Sequence, residues 1–202
     1  MPTFTPDIKY FEPQQIESVI ESANTLRDKA LIAVIYNCGL RRGEVQFLVR
    51  DDYNHQRGLL KVTRLKKLDG YWHEIPLWQR TRKVLNAYLR QRNDHADALF
   101  LSQKGGPLQP HGVYHIFRGA AERAGLQLRE RADGRGNRHP SPHRLRHSLA
   151  VHMTNCGIPI EDTQEQLAHA SINTTMIYAR VTGPRKLRNA MVMQASHHFA
   201  KF

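Results

Sequence analysis

Cysteine is scarce in this chain, and long apolar runs are missing from it. The two cysteines, Cys38 and Cys156, stand far apart without the spacing of a metal site, so we expect reduced thiols in a cytoplasmic protein. No apolar stretch approaches the length of a membrane-spanning helix. The opening MPTFTPDIKYFEPQQ lacks the charged and then apolar segments of a secretory signal. These absences argue against a secreted or membrane-spanning protein.

Acidic residues are also in short supply, because 18 Asp and Glu face 30 Lys and Arg, for a net charge of +12. Such an excess predicts a polyanionic partner, most often nucleic acid, with a membrane surface as the weaker option. Aromatic residues make up only 8%, and nothing resembles the aromatic stacking platform of an RNA-recognition module. The 202 residues, 40% of them hydrophobic, suffice for one compact core or one domain with a smaller appendage.

Helical periodicity dominates the chain. The stretch TLRDKALIAVIYNCG is apolar on most sides, which predicts a central helix that ends at Gly39. Two strand-like stretches, GLLKVTRL and YWHEIPL, flank Asp69-Gly70, a strong hairpin-turn signal. Residues 127–142 are basic and lack periodicity, which predicts an exposed loop that nucleic acid could order. The predicted fold class is mainly α with a small antiparallel β-sheet (α+β).

The stretch SPHRLRHSLAVHM concentrates positive charge on one predicted helix. His143 and Arg146 are three residues apart, so they share a helical face and can hold one anion. His143 follows Pro142 into the first turn, where backbone N–H groups also attract phosphate. His147 and His152 are expected to pack or cap, without a chemical role.

Lys66 lies near the tip of the predicted hairpin, where it can swing toward a bound ligand. Strand side chains alternate, so Lys66 shares a face with Leu60, Val62 and Arg64. The plainer alternative is that Lys66 and Lys67 form a solvated pair that discourages edge-strand pairing.

Arg41 and Tyr178 are candidates for phosphate chemistry. Arg41 follows the glycine that ends the central helix, although a surface arginine paired with Glu44 is the plainer alternative. Tyr178 follows His169 by nine residues, and a lone tyrosine there usually belongs to a core or an interface. Next to arginines and histidines, however, its phenolate can attack a phosphodiester while those groups neutralise the phosphate.

Taken together, the stretches GLRRGE, RLKKLDG, PHRLRH and LAHASINTTMIY resemble the tyrosine recombinase (phage integrase) family. Its pattern is Gly-Leu-Arg-x-x-Glu, a hairpin lysine, His-x-x-Arg-His, Leu-Gly-His and Thr-Thr-x-x-Tyr, and the match runs from about Thr5 to Val181. In size and motifs the chain is most similar to the small fimbrial phase-variation invertases. All six catalytic positions of the family are filled, by Arg41, Lys66, His143, Arg146, His169 and Tyr178.

Two departures from the family pattern stand out. Ala168 occupies the position of the glycine in Leu-Gly-His, and we expect the extra methyl to be tolerated if its φ angle stays negative. The separate N-terminal helical domain of most members is not expected, so residues 1–202 are interpreted as a single catalytic domain. Residues 183–202 are predicted to form a helical segment that docks on its own body or is exchanged between protomers.

The resemblance implies a site-specific DNA recombinase that cuts and rejoins strands through a 3′-phosphotyrosyl intermediate, for inversion, integration or excision. It implies the tyrosine recombinase catalytic-domain fold and no metal or other cofactor. The implied partners are double-stranded DNA, three further copies in a homotetramer on DNA, and an accessory DNA-binding protein. The implied setting is the cytoplasm of a bacterium, with a phage or mobile-element origin as an alternative, and association with the nucleoid when on DNA.

Two other functions remain open from the sequence. A type IB topoisomerase shares the tyrosine chemistry but reseals the same strand, and a non-catalytic DNA-binding regulator could use the same fold. Further basic residues are candidates for DNA contact, with a solvated surface as the alternative; they are Arg42, Arg64, Lys67, Arg129, Arg131, Arg135 and Arg138.

Overall fold

Helices make up most of the regular secondary structure in the computed structural model. The structure describes residues 10–65, 71–126, 129–130, 137–138 and 141–168. The α-helices in these ranges are α1 (Pro13–Glu21), α2 (Leu26–Cys38), α3 (Gln79–Gln91), α4 (Pro110–Arg123), α5 (Pro142–Asn155) and α6 (Ile160–Leu167). One 3-10 turn spans Val45–Phe47, and a second 3-10 turn spans Arg50–Asp52.

A small antiparallel sheet accompanies the helices, with strand order β1-β2-β3. Its strands are β1 (Tyr53–Asn54), β2 (Leu59–Thr63) and β3 (Trp72–Pro76). In register, Leu60 pairs with Ile75 and Val62 with His73. Leu60 and Val62 are both fully buried, which confirms the predicted alternation of faces.

Part of the predicted loop 127–142 forms a strand pair. Strands β4 (Arg129–Glu130) and β5 (Asn137–Arg138) pair antiparallel. Two paired residues on each side are too few to produce a visible alternation of apolar and polar residues, and periodicity therefore could not predict these strands. The mainly α fold with a small antiparallel sheet is confirmed.

Helix α2 lies at the centre of the fold, as its apolar sequence predicts. It packs against α1, α3, α4 and α5, and Leu31, Ile32 and Ile35 have no exposed surface. The Thr25 hydroxyl accepts a hydrogen bond from the Asp28 backbone N–H at 3.1 Å and caps the first turn. Burial on all sides makes α2 a rigid support for the residues that follow it.

Helix α5 packs against both α2 and α6, and α5 and α6 together enclose a second apolar cluster. Leu149, Val151 and Met153 from α5 meet Leu167 at the end of α6. This packing brings the C-terminal ends of α2 and α6 next to the middle of α5. Across the described ranges, no helix combines the length and the apolarity that crossing a bilayer requires.

Gly39 ends α2 in the left-handed conformation, with φ of 57°. A β-carbon at this position would lie 3.0 Å from Leu149 Cδ2 and would also press on Leu167. Glycine therefore serves two purposes here, because it relieves the backbone and lets α5 and α6 approach the end of α2.

We expect Gly39→Ala to lower the free energy of unfolding by about 2–4 kcal/mol, from left-handed strain and overpacking together. Gly105→Ala is the matched control, since Gly105 also has a positive φ of 82° but a β-carbon there meets nothing within 4 Å. That control should lose only about 1–2 kcal/mol. Urea unfolding of both variants measures the difference, and equal losses would contradict close packing around Gly39.

Candidate active site

Arg41 is held in place by a carboxylate three residues further along the chain. Its backbone N–H donates to Glu44 Oε2 at 2.8 Å, and its guanidinium Nη1 donates to Glu44 Oε1 at 2.9 Å. The Arg41 side chain keeps 20% of its surface exposed. The pairing that the sequence offered as the plainer alternative is therefore present, and it fixes a partly exposed cation at the end of α2.

Glu44 is the buried anion of the site, with no exposed side-chain surface. Its Oε2 also accepts from Arg64 Nη1 at 2.9 Å, so one carboxylate joins two arginines. Burial alone would raise the pKa of the Glu44 carboxyl, but the charges of Arg64 and Arg41 and the hydrogen bonds from Arg41 outweigh it and lower that pKa. Glu44 is therefore ionised at neutral pH.

The structure does not support the predicted DNA contact of Arg64, because the residue is only 1% exposed and its guanidinium is bound to the buried carboxylate of Glu44. Its Nη2 donates to the carbonyl oxygens of Cys38 at 2.9 Å and Gln166 at 2.5 Å. The alternation that placed Arg64 on the face of Leu60 is right, and that face points into the protein. A charged residue on a buried strand face requires a partner, but no local sequence pattern indicates that Glu44, twenty residues earlier, is that partner.

Arg146 lies in the second turn of α5 and is also 1% exposed. Its Nη1 donates to the Gly39 carbonyl at 2.6 Å, and its Nη2 donates to the Leu167 carbonyl. The guanidinium thus lies between the ends of α2 and α6. Because Gly39 is two residues before Arg41, this bond places the two candidate phosphate-binding arginines on neighbouring segments.

The carbonyl groups at the end of α2 all have hydrogen-bond donors. The last carbonyls of a helix have no partner within the helix, and here each carbonyl from residue 35 to 39 accepts a hydrogen bond from elsewhere. The pairs are Ile35 with Leu40 N–H, Tyr36 with Gly39 N–H, Asn37 with the Gln166 side-chain amide, Cys38 with Arg64, and Gly39 with Arg146. The role of Gln166 was not visible in the sequence, since an amide side chain on a helix is unremarkable without its partner.

His143 lies in the first turn of α5, as predicted, and its side chain is exposed. Its ring contacts that of His147 edge to face, with 4.4 Å between centroids. His152 packs as expected, because its Nδ1 lies 2.6 Å from the Tyr36 hydroxyl. Exposure suits His143 for contact with a substrate, whereas Arg146 reaches the site from within the protein.

Ala168 has a φ angle of 47°, in the left-handed region, so the condition under which the extra methyl was expected to be tolerated is not met. It ends α6, and its N–H donates to the carbonyls of Gln164 and Glu165. Alanine in this conformation costs roughly 1–2 kcal/mol relative to glycine. A glycine at this position of the family pattern therefore has a structural reason, and this chain carries the strain directly before His169.

Three of the six candidate positions, Lys66, His169 and Tyr178, fall outside the described residues. So do Lys67, Arg131 and Arg135 among the predicted DNA contacts, as well as the segment 183–202. Arg42 is exposed directly beside Arg41. Among the residues that the structure describes, no group of three His, Cys, Asp or Glu side chains is placed to hold a metal ion.

His147 gives the site a measurable pH dependence. Burial, then the charges of His143, Arg146 and Arg144, lower the pKa of His147 to about 4. In the unfolded chain its pKa is about 6.5. The unfolded state therefore binds more protons between these values, and stability is lost as the pH falls from 6.5 to 4.

We expect His147→Gln to reduce that loss of unfolding free energy by about 1–2 kcal/mol, a figure reduced for solvent screening of a partly exposed ring. Urea unfolding at pH 6.5 and pH 4 measures it. The exposed His55 provides the control variant His55→Gln. If His147→Gln loses as much stability as the wild-type protein across this range, the lowered pKa of His147 is wrong.

The phage integrase family model matches residues 9–184, a span that includes all six candidate positions. The tyrosine recombinase XerA of Pyrococcus furiosus is 33% identical over 179 residues, which cover 86% of this chain and 58% of the relative. This chain thus spans about three-fifths of the length of that curated relative.

Two solved structures share the fold. The crystal structure of XerA recombinase has a TM-score of 0.74 at 25% identity and covers 97% of this chain and 66% of that chain. The structure of XerH site-specific recombinase bound to palindromic difH substrate, a post-cleavage complex, has a TM-score of 0.71 at 24% identity, with coverage of 93% and 54%. The family match over most of its length shows that this chain belongs to the phage integrase family of tyrosine recombinases.

Proposed function

We propose that this chain acts as a site-specific DNA recombinase, cutting and rejoining strands through a 3′-phosphotyrosyl bond to Tyr178. The observation that carries the proposal is the hydrogen bond from Arg146 Nη1 to the Gly39 carbonyl at 2.6 Å. It fixes a buried guanidinium beside the segment that presents Arg41, in a protein with a net charge of +12. Two neighbouring arginines can bind the single negative charge of a phosphodiester and the further charge that develops during attack on it.

The proposed reaction needs a nucleophile, an acid and a base. The Tyr178 oxygen attacks the scissile phosphorus, the bond from phosphorus to the 5′-oxygen breaks, and the tyrosine becomes joined to the 3′-phosphate. Lys66 donates a proton to the leaving 5′-oxygen, and His143 accepts the proton of the tyrosine hydroxyl. The 5′-hydroxyl of another cut strand then attacks the phosphotyrosine and releases Tyr178. Because the energy of the phosphodiester bond is retained, the cycle needs no nucleotide.

Arg41 and Arg146 supply the electrostatic part of the catalysis. Negative charge develops on the non-bridging oxygens as the phosphorus becomes five-coordinate, and cations already in position stabilise it without reorganisation. His169 is a further donor in this scheme. The exposed His143 and the partly exposed Arg41 offer access from solvent, which a DNA backbone requires.

The substrate in this proposal is double-stranded DNA, in keeping with the difH complex of XerH. Exchange of both strands of two duplexes needs four active sites, so the working form is a homotetramer on DNA, helped by an accessory DNA-binding protein. Residues 183–202 would join neighbouring protomers.

The setting is the cytoplasm, with nucleoid association on DNA. Arg42, Lys67, Arg129, Arg131, Arg135 and Arg138 remain the predicted DNA contacts.

Covalent trapping tests the proposed reaction. Labelled DNA from the regions flanking the protein's own gene is incubated with protein and a metal chelator, then denatured in detergent. We expect a shifted, protease-sensitive band with the wild-type protein and none with Tyr178→Phe, because phenylalanine has no oxygen to attack with. Tyr114→Phe on α4 is the matched control and should still give the band.

A band that persists in Tyr178→Phe would refute Tyr178 as the nucleophile. If the wild-type protein gives the band only when the chelator is left out, the reaction depends on a metal. Rejoining to a second labelled duplex, rather than resealing of the same strand, distinguishes a recombinase from a topoisomerase.

A further inference from the structure

Arg64 is a buried cation with oxygen acceptors on two other segments of the chain. Nη1 binds Glu44 Oε2 at 2.9 Å, and Nη2 binds the carbonyls of Cys38 at 2.9 Å and Gln166 at 2.5 Å. The side chains of Arg64 and Glu44 have no exposed surface. The guanidinium therefore joins the end of strand β2 to the end of α2 and the end of α6.

Packing alone does not explain a charge at this position. Leu60 and Val62 already fill the same face of β2 with apolar side chains. A buried ion pair is often replaceable by apolar residues without loss of stability, because removing both charges from water is costly. The geometry around Arg64 suggests a role beyond folding.

Arg64 and Arg146 bind corresponding carbonyl groups. Arg64 binds the carbonyls of residues 38 and 166, and Arg146 binds those of residues 39 and 167. The two guanidinium groups thus connect the same two helix ends at adjacent peptides. In the sequence, Arg64 is two residues before Lys66, and the carbonyl of Gln166 is three residues before His169. One side chain therefore lies between segments that carry several of the candidate positions.

The net charge of the cluster formed by Arg41, Glu44 and Arg64 also supports a role beyond folding. Arg41 and Arg64 share the single negative charge of Glu44, so the three side chains carry a net charge of +1. Without Arg64 the carboxylate would pair with Arg41 alone, and the net charge would be zero. A phosphate would then meet a neutralised Arg41.

We propose that Arg64 is a positioning residue that holds Glu44 so that Arg41 keeps both its place and its net positive charge for the scissile phosphate. This inference rests on the proposed function. It assigns Arg64 no contact with DNA, and it places its effect on the chemical step rather than on binding.

Single-turnover formation of the covalent adduct, measured per folded molecule, tests the proposal. Arg64→Met removes the charge at similar length, and Arg64→Lys keeps a buried cation in case the Met variant does not fold. Arg92→Met is the matched control, since the Arg92 side chain is also buried and binds a carboxylate and the carbonyls of Ala98 and Leu99, within residues 92–99.

We expect cleavage to fall about 100-fold in Arg64→Met, the size of effect that misplacement by about 1 Å produces. Arg64→Lys should lose about tenfold, because an ammonium cannot reproduce the planar set of donors. DNA affinity of both variants should stay within about threefold of wild type. Cleavage by either variant at the wild-type rate per folded molecule would overturn the proposal, as would a comparable loss in Arg92→Met.

A double variant separates positioning from a general structural effect. If Arg64 acts through Arg41, then Arg41→Lys/Arg64→Lys should be slower than Arg41→Lys by less than about threefold, since the two changes damage one unit. If the rate losses of the two single variants instead multiply in the double variant, Arg64 acts independently of Arg41, which would overturn the proposal.

Hydrogen exchange on the DNA-free protein gives a readout that does not depend on activity. Loss of the Arg64 bond to Gln166 should speed amide exchange in peptides covering residues 160–168 in Arg64→Lys and leave them unchanged in Arg92→Met. Unchanged exchange would overturn the proposal. If exchange changes as expected but the wild-type protein forms no adduct, the proposed function fails while the contacts of Arg64 remain supported.

Discussion

The structure depends on how the C-terminal ends of two helices satisfy their last carbonyl groups. Helices α2 and α6 end close together inside the protein, where unpaired carbonyls would be costly. Two buried guanidinium groups, from Arg64 and Arg146, donate to adjacent carbonyls of both ends. Cations at helix C-termini also suit the negative end of the helix dipole. The positions of α5 and of the residue that follows strand β2 are therefore tied to the end of α2 by these bonds.

The same contacts prepare a site for an anion. Arg41 extends from the end of α2 toward solvent, and Glu44 holds both its backbone and its guanidinium. Arg64 balances the charge of Glu44, so the cluster stays cationic. An active site for phosphoryl transfer needs cations that are fixed before the substrate arrives, and here the groups that fix them also complete the fold. The fold and the proposed catalysis therefore both require these residues to be held in the same positions.

Much of this organisation could be predicted from periodicity and motifs, because α2, the hairpin strands and the face of Arg64 follow from local sequence patterns. The burial of Arg64 could not, since it depends on Glu44, twenty residues earlier in the chain, and on a carbonyl of α6. The sequence comparison makes Ala168 tolerable only at a negative φ angle, but Ala168 ends α6 in the left-handed conformation. Backbone acceptors leave no trace in side-chain sequence, and this is why the carbonyl contacts of Arg146 were not predicted either.

The most direct test of the account replaces the scissile phosphate with a methylphosphonate, in which a neutral methyl takes the place of one charged oxygen. Arg41→Ala should form the covalent adduct at least about 100-fold more slowly than wild type on the phosphodiester. On the methylphosphonate its rate should approach the wild-type rate, because less charge needs compensation. Arg42→Ala, at the exposed neighbouring position, should show no such dependence on the substrate. Equal impairment of Arg41→Ala on both substrates would contradict the claim that Arg41 neutralises the phosphate.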